Sequence, residues 1–161
     1  MGRALAKEIG VEFIDLDQYI EQRYCKSIAD IFAQKGEEGF RLIEQRMLHE
    51  VCEFENVVIS TGGGTPCFFD NIEYMNSQGT TVFLDVPPER LFIRLSIARS
   101  KRPLIKDKSD DELRSFIKEN LEKRLPHYSK ATYTFVADKL EDRTQIASSV
   151  EKFIREILQT Q

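Results

Sequence analysis

The stretch that most constrains the chain is Val57-Val58-Ile59-Ser60-Thr61-Gly62-Gly63-Gly64-Thr65-Pro66. A β-branched run reads as a buried parallel strand, and it stops at three glycines. Backbone stripped of side chains can approach another group closely, and three successive N–H groups can face an oxygen-rich ligand. Ligands of open α/β sheets lie at the C-terminal ends of the strands, where this loop falls. The plain alternative is a surface turn. A second apolar strand, Phe13-Ile14-Asp15-Leu16-Asp17, ends in two carboxylates and strengthens the case for a site.

Alternation of helix and strand continues along the chain and predicts an α/β fold. Strands are expected over Glu12–Asp15, Val57–Ser60, Thr81–Asp85 and Tyr133–Ala137. The expected helices begin with Arg3–Ile9, capped by Gly10. Asp17 is expected to cap a helix reaching about Tyr24, and Ser27 one closed by Gly36. Glu37–Cys52 repeats apolar residues at helical spacing. Asp70–Gln78 and Pro88–Ala98 follow, the latter opening on proline. Ser109-Asp110-Asp111-Glu112 is a capping box for a helix to about Leu125, and Gln145–Leu158 closes the chain. With 161 residues, one domain is expected.

Net charge is −4, which argues against nucleic acid as the main partner. No apolar run approaches the ~20 residues of a membrane span, and Met1-Gly2-Arg3-Ala4 lacks the apolar core of a signal peptide. Cys25, Cys52 and Cys67 are odd in number and outside CxxC spacing, so a reducing cytoplasm is expected. His49 and His127 are too far apart to indicate a metal site.

Several residues have two readings. Asp15 and Asp17 can divide labour, one holding Mg2+ through water and the other orienting or deprotonating a hydroxyl. Asp17 can equally be a helix cap. Arg41, one helical turn from Glu44, is either a surface ion pair or a guanidinium fork aimed at a carboxylate. Arg99, Lys101 and Arg102 form either a solvated loop or a mobile segment closing over phosphates. Arg124 either complements a helix dipole or binds an anion.

Taken together, Phe13-Ile14-Asp15-Leu16-Asp17, Gly39-Phe40-Arg41-Leu42-Ile43-Glu44, Ser60-Thr61-Gly62-Gly63-Gly64, Arg102-Pro103-Leu104 and Arg124-Leu125-Pro126-His127-Tyr128 resemble the shikimate kinases, P-loop enzymes of the nucleoside-monophosphate-kinase-like group. The resemblance implies a three-layer fold with a parallel sheet of order 2-3-1-4-5. It implies transfer of the ATP γ-phosphate to the 3-hydroxyl of shikimate, by a monomer. Asp15 then matches the Mg2+ aspartate and Asp17 the candidate base. Arg41 and Arg124 match the carboxylate grip, and Gly62, Gly63 and Gly64 the loop against the substrate ring. Arg102 matches a lid arginine, and Arg99 the one on adenine, within a lid of about residues 99–110. The chain departs from the pattern in one place: no stretch fits G-x-x-x-x-G-K-[ST], the loop that cradles ATP phosphates. The expectation is a chain lacking the family's first strand and that loop, through a late start site or trimming, and inactive with ATP alone. The alternatives are a kinase of another hydroxy-acid such as gluconate, or a non-catalytic shikimate-binding fragment.

Overall fold

In the computed structural model, residues 1–98, 105 and 107–159 are described. The order is α1 (Gly2–Ile9), β1 (Glu12–Asp15), α2 (Leu16–Tyr24), α3 (Ile28–Cys52), β2 (Val57–Ser60), a 3-10 turn (Thr65–Cys67) and α4 (Asn71–Gln78). Then come β3 (Val82–Asp85), α5 (Pro88–Ala98), α6 (Asp110–Tyr128), β4 (Tyr133–Val136) and α7 (Arg143–Phe153), which runs into a π turn, Ile154–Leu158.

Parallel neighbours need a long crossover, and helices supply it. β1 pairs in parallel with β2, placing Phe13 opposite Val58 and Ile14 opposite Ile59. β3 pairs in parallel with β4, Leu84 opposite Phe135. These are two separate two-stranded sheets. Val57–Ser60 of β2 and Val82, Phe83 and Leu84 of β3 line a cavity of about 1720 Å³ between the sheets. The pairs share a core without sharing a ladder: Val58 of β2 and Val82 of β3 both pack against the cluster of Leu5, Phe135, Val150 and Phe153.

Local chemistry explains most helix ends. Gly10 closes α1 in the left-handed conformation, φ 73°. The Ser27 hydroxyl accepts the Asp30 N–H at the start of α3. Inside α3, Gly36 takes φ 67° and ψ −177°, so the helix breaks there into the two segments that the spacing predicts. The second segment buries Phe40, Met47, Leu48 and Val51 under the first sheet. Ser109 and Glu112 form the expected capping box of α6.

Several ends shift by one or two residues, and two differences bear on the site. Asp15 caps α2, its carboxylate accepting the Gln18 N–H at 3.1 Å, so Asp17 lies in the first turn and is not the cap. The strand ends at Asp15, so the two aspartates do not share a strand face. α6 continues past Leu125 through Pro126 to Tyr128, three residues further than its sequence indicates. That extension brings Tyr128 to the glycine loop. Among the described residues, no helix is long and apolar enough to cross a membrane.

Candidate functional site

The site gathers where β1 and β2 end, because parallel strands present their C-terminal loops on one edge. The loop after β2 carries Gly62, Gly63 and Gly64, and none of the three has positive φ. At Gly63 and Gly64 the constraint is steric, whereas a Cβ on Gly62 would make only ordinary contacts, the nearest at 3.6 Å. A Cβ on Gly64 would lie 2.9 Å from Nη2 of Arg41, and one on Gly63 would lie 3.1 Å from Nη1 of Arg124 and 2.9 Å from the Tyr128 hydroxyl. The guanidinium groups of Arg41 and Arg124 therefore converge on adjacent residues of one loop, from α3 and α6. Asp17 comes in from α2 on the Gly62 side, its Oδ1 3.8 Å from where a Cβ would stand.

Arg41 is no surface ion pair. Its Nη1 donates to Oε2 of Glu44 at 2.8 Å, and Glu44 is only 2% exposed. The guanidinium lies over the Phe68 ring, 4.1 Å from its centre. Glu37, exposed, is a weaker second partner at 3.5 Å. The Arg41 Nε–H is buried and has no hydrogen-bond partner among the described residues. Buried donors of that kind mark places where a ligand oxygen or a water completes the geometry. The other oxygen of Glu44 accepts the Thr65 hydroxyl at 2.7 Å. The Tyr128 hydroxyl donates to the Gly63 carbonyl at 2.6 Å, and its ring stacks on Phe83 with centres 4.8 Å apart.

Sequence patterns do not reveal Thr65, Phe68, Asn71 or Tyr128 as parts of this site. The signals are Thr65 following Gly64, and Tyr128 closing the stretch Arg124–Tyr128 one helical turn after Arg124. Arg99, Lys101 and Arg102 lie outside the described residues. Among the described residues, no three His, Cys, Asp or Glu side chains form a metal cluster. His49 stacks on Tyr74 instead, with ring centres 3.7 Å apart.

The electrostatics of the site favour a proton acceptor at Asp17. Its side chain has solvent access but is set into protein on its inner side. That partial desolvation, with repulsion from Asp15, Glu44 and Glu21, raises its pKa above an aspartate's ordinary 3.8, and Arg41 opposes the shift. Burial raises the Tyr128 pKa, against the pull of Arg124. Burial also raises that of the Cys67 thiol, opposed by the charges of Arg124 and Arg41.

A raised Asp17 pKa has a stability consequence. The folded chain holds this proton more tightly than the unfolded chain does. Its contribution is therefore complete below pH 3.8 and is lost as pH rises through the folded value. At neutral pH the charged carboxylate is a burden on the fold. Asp17→Asn is expected to raise the melting temperature at pH 7, and the gain should vanish near pH ~3. Equal melting temperatures at both pH values would show that the carboxylate is not strained.

Asp17, Gly62, Gly63 and Arg124 also line the cavity between the sheets, so the site opens directly into that space. A sequence model described as shikimate kinase matches residues 1–158. A shikimate kinase from Bacteroides fragilis is 58% identical over 158 residues, covering 98% of this chain and 88% of that protein. One from Nostoc is 39% identical, covering 98% of this chain and 84% of that protein. Among solved structures, a shikimate kinase from Bacteroides thetaiotaomicron superposes with a TM-score of 0.91 at 57% identity, covering 96% of this chain and 88% of that one. A shikimate kinase from Acinetobacter baumannii, in complex with shikimate, gives 0.83 at 31%, covering 99% and 86%.

Proposed function

The chain belongs to the shikimate kinase family, and from that premise we propose that it forms the shikimate-binding and proton-accepting part of an enzyme that phosphorylates the 3-hydroxyl of shikimate with ATP. The observation that carries this reading is the convergence of Arg41 and Arg124 on adjacent glycines, Gly64 and Gly63, with Asp17 beside Gly62. Shikimate has one carboxylate and several hydroxyls. It needs cationic forks at one end, and a carboxylate with backbone donors at the other.

In the reaction, Asp17 accepts the proton of the 3-hydroxyl. The freed oxygen bonds to the γ-phosphorus of ATP as the bond to the β-phosphate oxygen breaks, giving 3-phosphoshikimate and ADP. Arg41 and Arg124 hold the ring by its carboxylate, and the glycine loop lets it approach without side chains intervening. Arg102 and Arg99, in a lid of about residues 99–110, are assigned to the phosphates and the adenine. Asp15 is assigned to Mg2+, and its setting suits that ion. One oxygen is engaged at the helix cap, and Mg2+ in phosphoryl-transfer sites keeps several waters and leans on one or two carboxylates. Bound there with the nucleotide, Mg2+ supplies charge neutralisation at the phosphates.

No part of the 161-residue sequence fits G-x-x-x-x-G-K-[ST]. β2 and β3 face one cavity without pairing to each other. On these two grounds we assign the ATP-phosphate cradle to a further strand and loop lying between them, and expect the 161 residues alone to bind shikimate without phosphorylating it. A monomer working in the cytoplasm completes the reading. Gluconate phosphorylation and a purely non-catalytic role draw no support from the relatives.

Titration calorimetry of the chain with shikimate tests the first half. Binding is expected, and no detectable heat at millimolar shikimate would reject it. Arg41→Lys should weaken that binding by about tenfold, because an ammonium cannot make the two-pronged contact. An unchanged dissociation constant would remove Arg41 from the grip.

A further inference from the structure

Glu44 is a carboxylate almost wholly removed from water, 2% exposed. Such a group is tolerated only when donors satisfy its oxygens. One donor is Arg41, at 2.8 Å. The other is the hydroxyl of Thr65, at 2.7 Å. Thr65 is itself fully buried. Its N–H donates to the Gly62 carbonyl at 3.2 Å, closing the glycine turn, and its own carbonyl accepts Nδ2 of Asn71 at 2.8 Å. Asn71 is fully buried at the start of α4. One residue therefore ties together the glycine loop, the helix that carries Arg41, and α4.

We propose that Thr65 is a positioning residue for the substrate carboxylate: its hydroxyl fixes Glu44, Glu44 fixes the Arg41 fork, and the fork is thereby held against Gly64. The tie is tight because Arg41 has no slack on the loop side. A Cβ at Gly64 would meet Nη2 at 2.9 Å and Nη1 at 3.0 Å. With the hydroxyl gone, one oxygen of a buried carboxylate loses its donor and Glu44 turns to recover one. The guanidinium follows it, so the effect falls on the carboxylate end of the ligand and leaves the hydroxyl end alone.

This inference rests on the shikimate reading, and the test separates the two. Calorimetry is run on the wild-type chain, Thr65→Val and Thr65→Ser, each with shikimate and with its methyl ester, which has the same ring and no charge. Thr65→Val should weaken shikimate binding by about tenfold and leave the ester's affinity unchanged. Thr65→Ser keeps the hydroxyl and should restore shikimate binding. Equal weakening of acid and ester would show a merely structural role and overturn the proposal, as would unchanged affinity for the acid. If Thr65→Val does not fold, Thr65→Cys, close in size and a poor donor, faces the same criteria. A wild-type chain that binds neither ligand would overturn the reading of the site, and this inference with it. Thr65 variants that do not distinguish acid from ester would overturn the inference alone.

Discussion

Joined to a strand and a glycine-rich phosphate loop that fill the space between β2 and β3, the chain should phosphorylate shikimate; as 161 residues it should show no ATP-dependent turnover. The facing edges explain why one segment should change both activity and stability. A parallel strand of four residues presents about two N–H and two C=O groups to each side. Groups left buried without partners cost about 1–3 kcal/mol each. The cavity between the sheets is large enough for water, so the actual cost lies toward the low end of that range. Pairing those edges would instead add ladder hydrogen bonds and bury apolar surface that now faces the cavity. The joined protein should therefore melt well above the chain alone, and should release ADP in a coupled assay only when shikimate is present. Steady ADP release by the 161 residues without that segment would place the phosphate site elsewhere in the chain and refute this account.

In the joined enzyme, Asp17→Asn should lower turnover by about 10²–10⁴-fold, the usual span of a positioned acid or base. The Michaelis constant for shikimate should change far less. Asparagine keeps the shape and one acceptor oxygen but takes no proton at neutral pH. The raised pKa of Asp17 brings it nearer the operating pH, where a base is most effective. The wild-type rate should also fall in acid as this carboxylate protonates, and the variant should lose that limb. Phosphoryl transfer relies heavily on positioning. If turnover held while the Michaelis constant rose, Asp17 would be a ligand of the hydroxyls and not their base.

These two variants differ in how visible their grounds are in sequence. β1 and β2 have the predicted bounds, because short apolar runs ending in Asp or Gly leave little choice of register. Arg41, Arg124 and the glycines are recognisable as a set, and the fold brings them to one loop. The missed features all depend on long-range contacts. Tyr128 reaches Gly63 across 65 positions and Thr65 reaches Glu44 across 21; no local period records either. Sequence does not single out the cap of α2, because Asp15 and Asp17 are chemically equal candidates and only the point where β1 stops selects Asp15. α6 outruns its expected end because Pro126 falls inside the helix, where proline ordinarily marks a boundary.

The triple glycine, finally, is stiff where its composition suggests slackness. None of its residues takes a positive φ. The space beside Gly63 and Gly64 is taken by Tyr128, Arg124 and Arg41, and the Gly63 carbonyl is held by the Tyr128 hydroxyl. The entropy of ordering this loop is thus surrendered when the chain folds, before any ligand arrives. A small acid that meets a wall already set loses less freedom on binding than one that must gather a loose strand around itself. Preorganisation of this kind lets a few polar contacts hold a ligand of about a dozen heavy atoms.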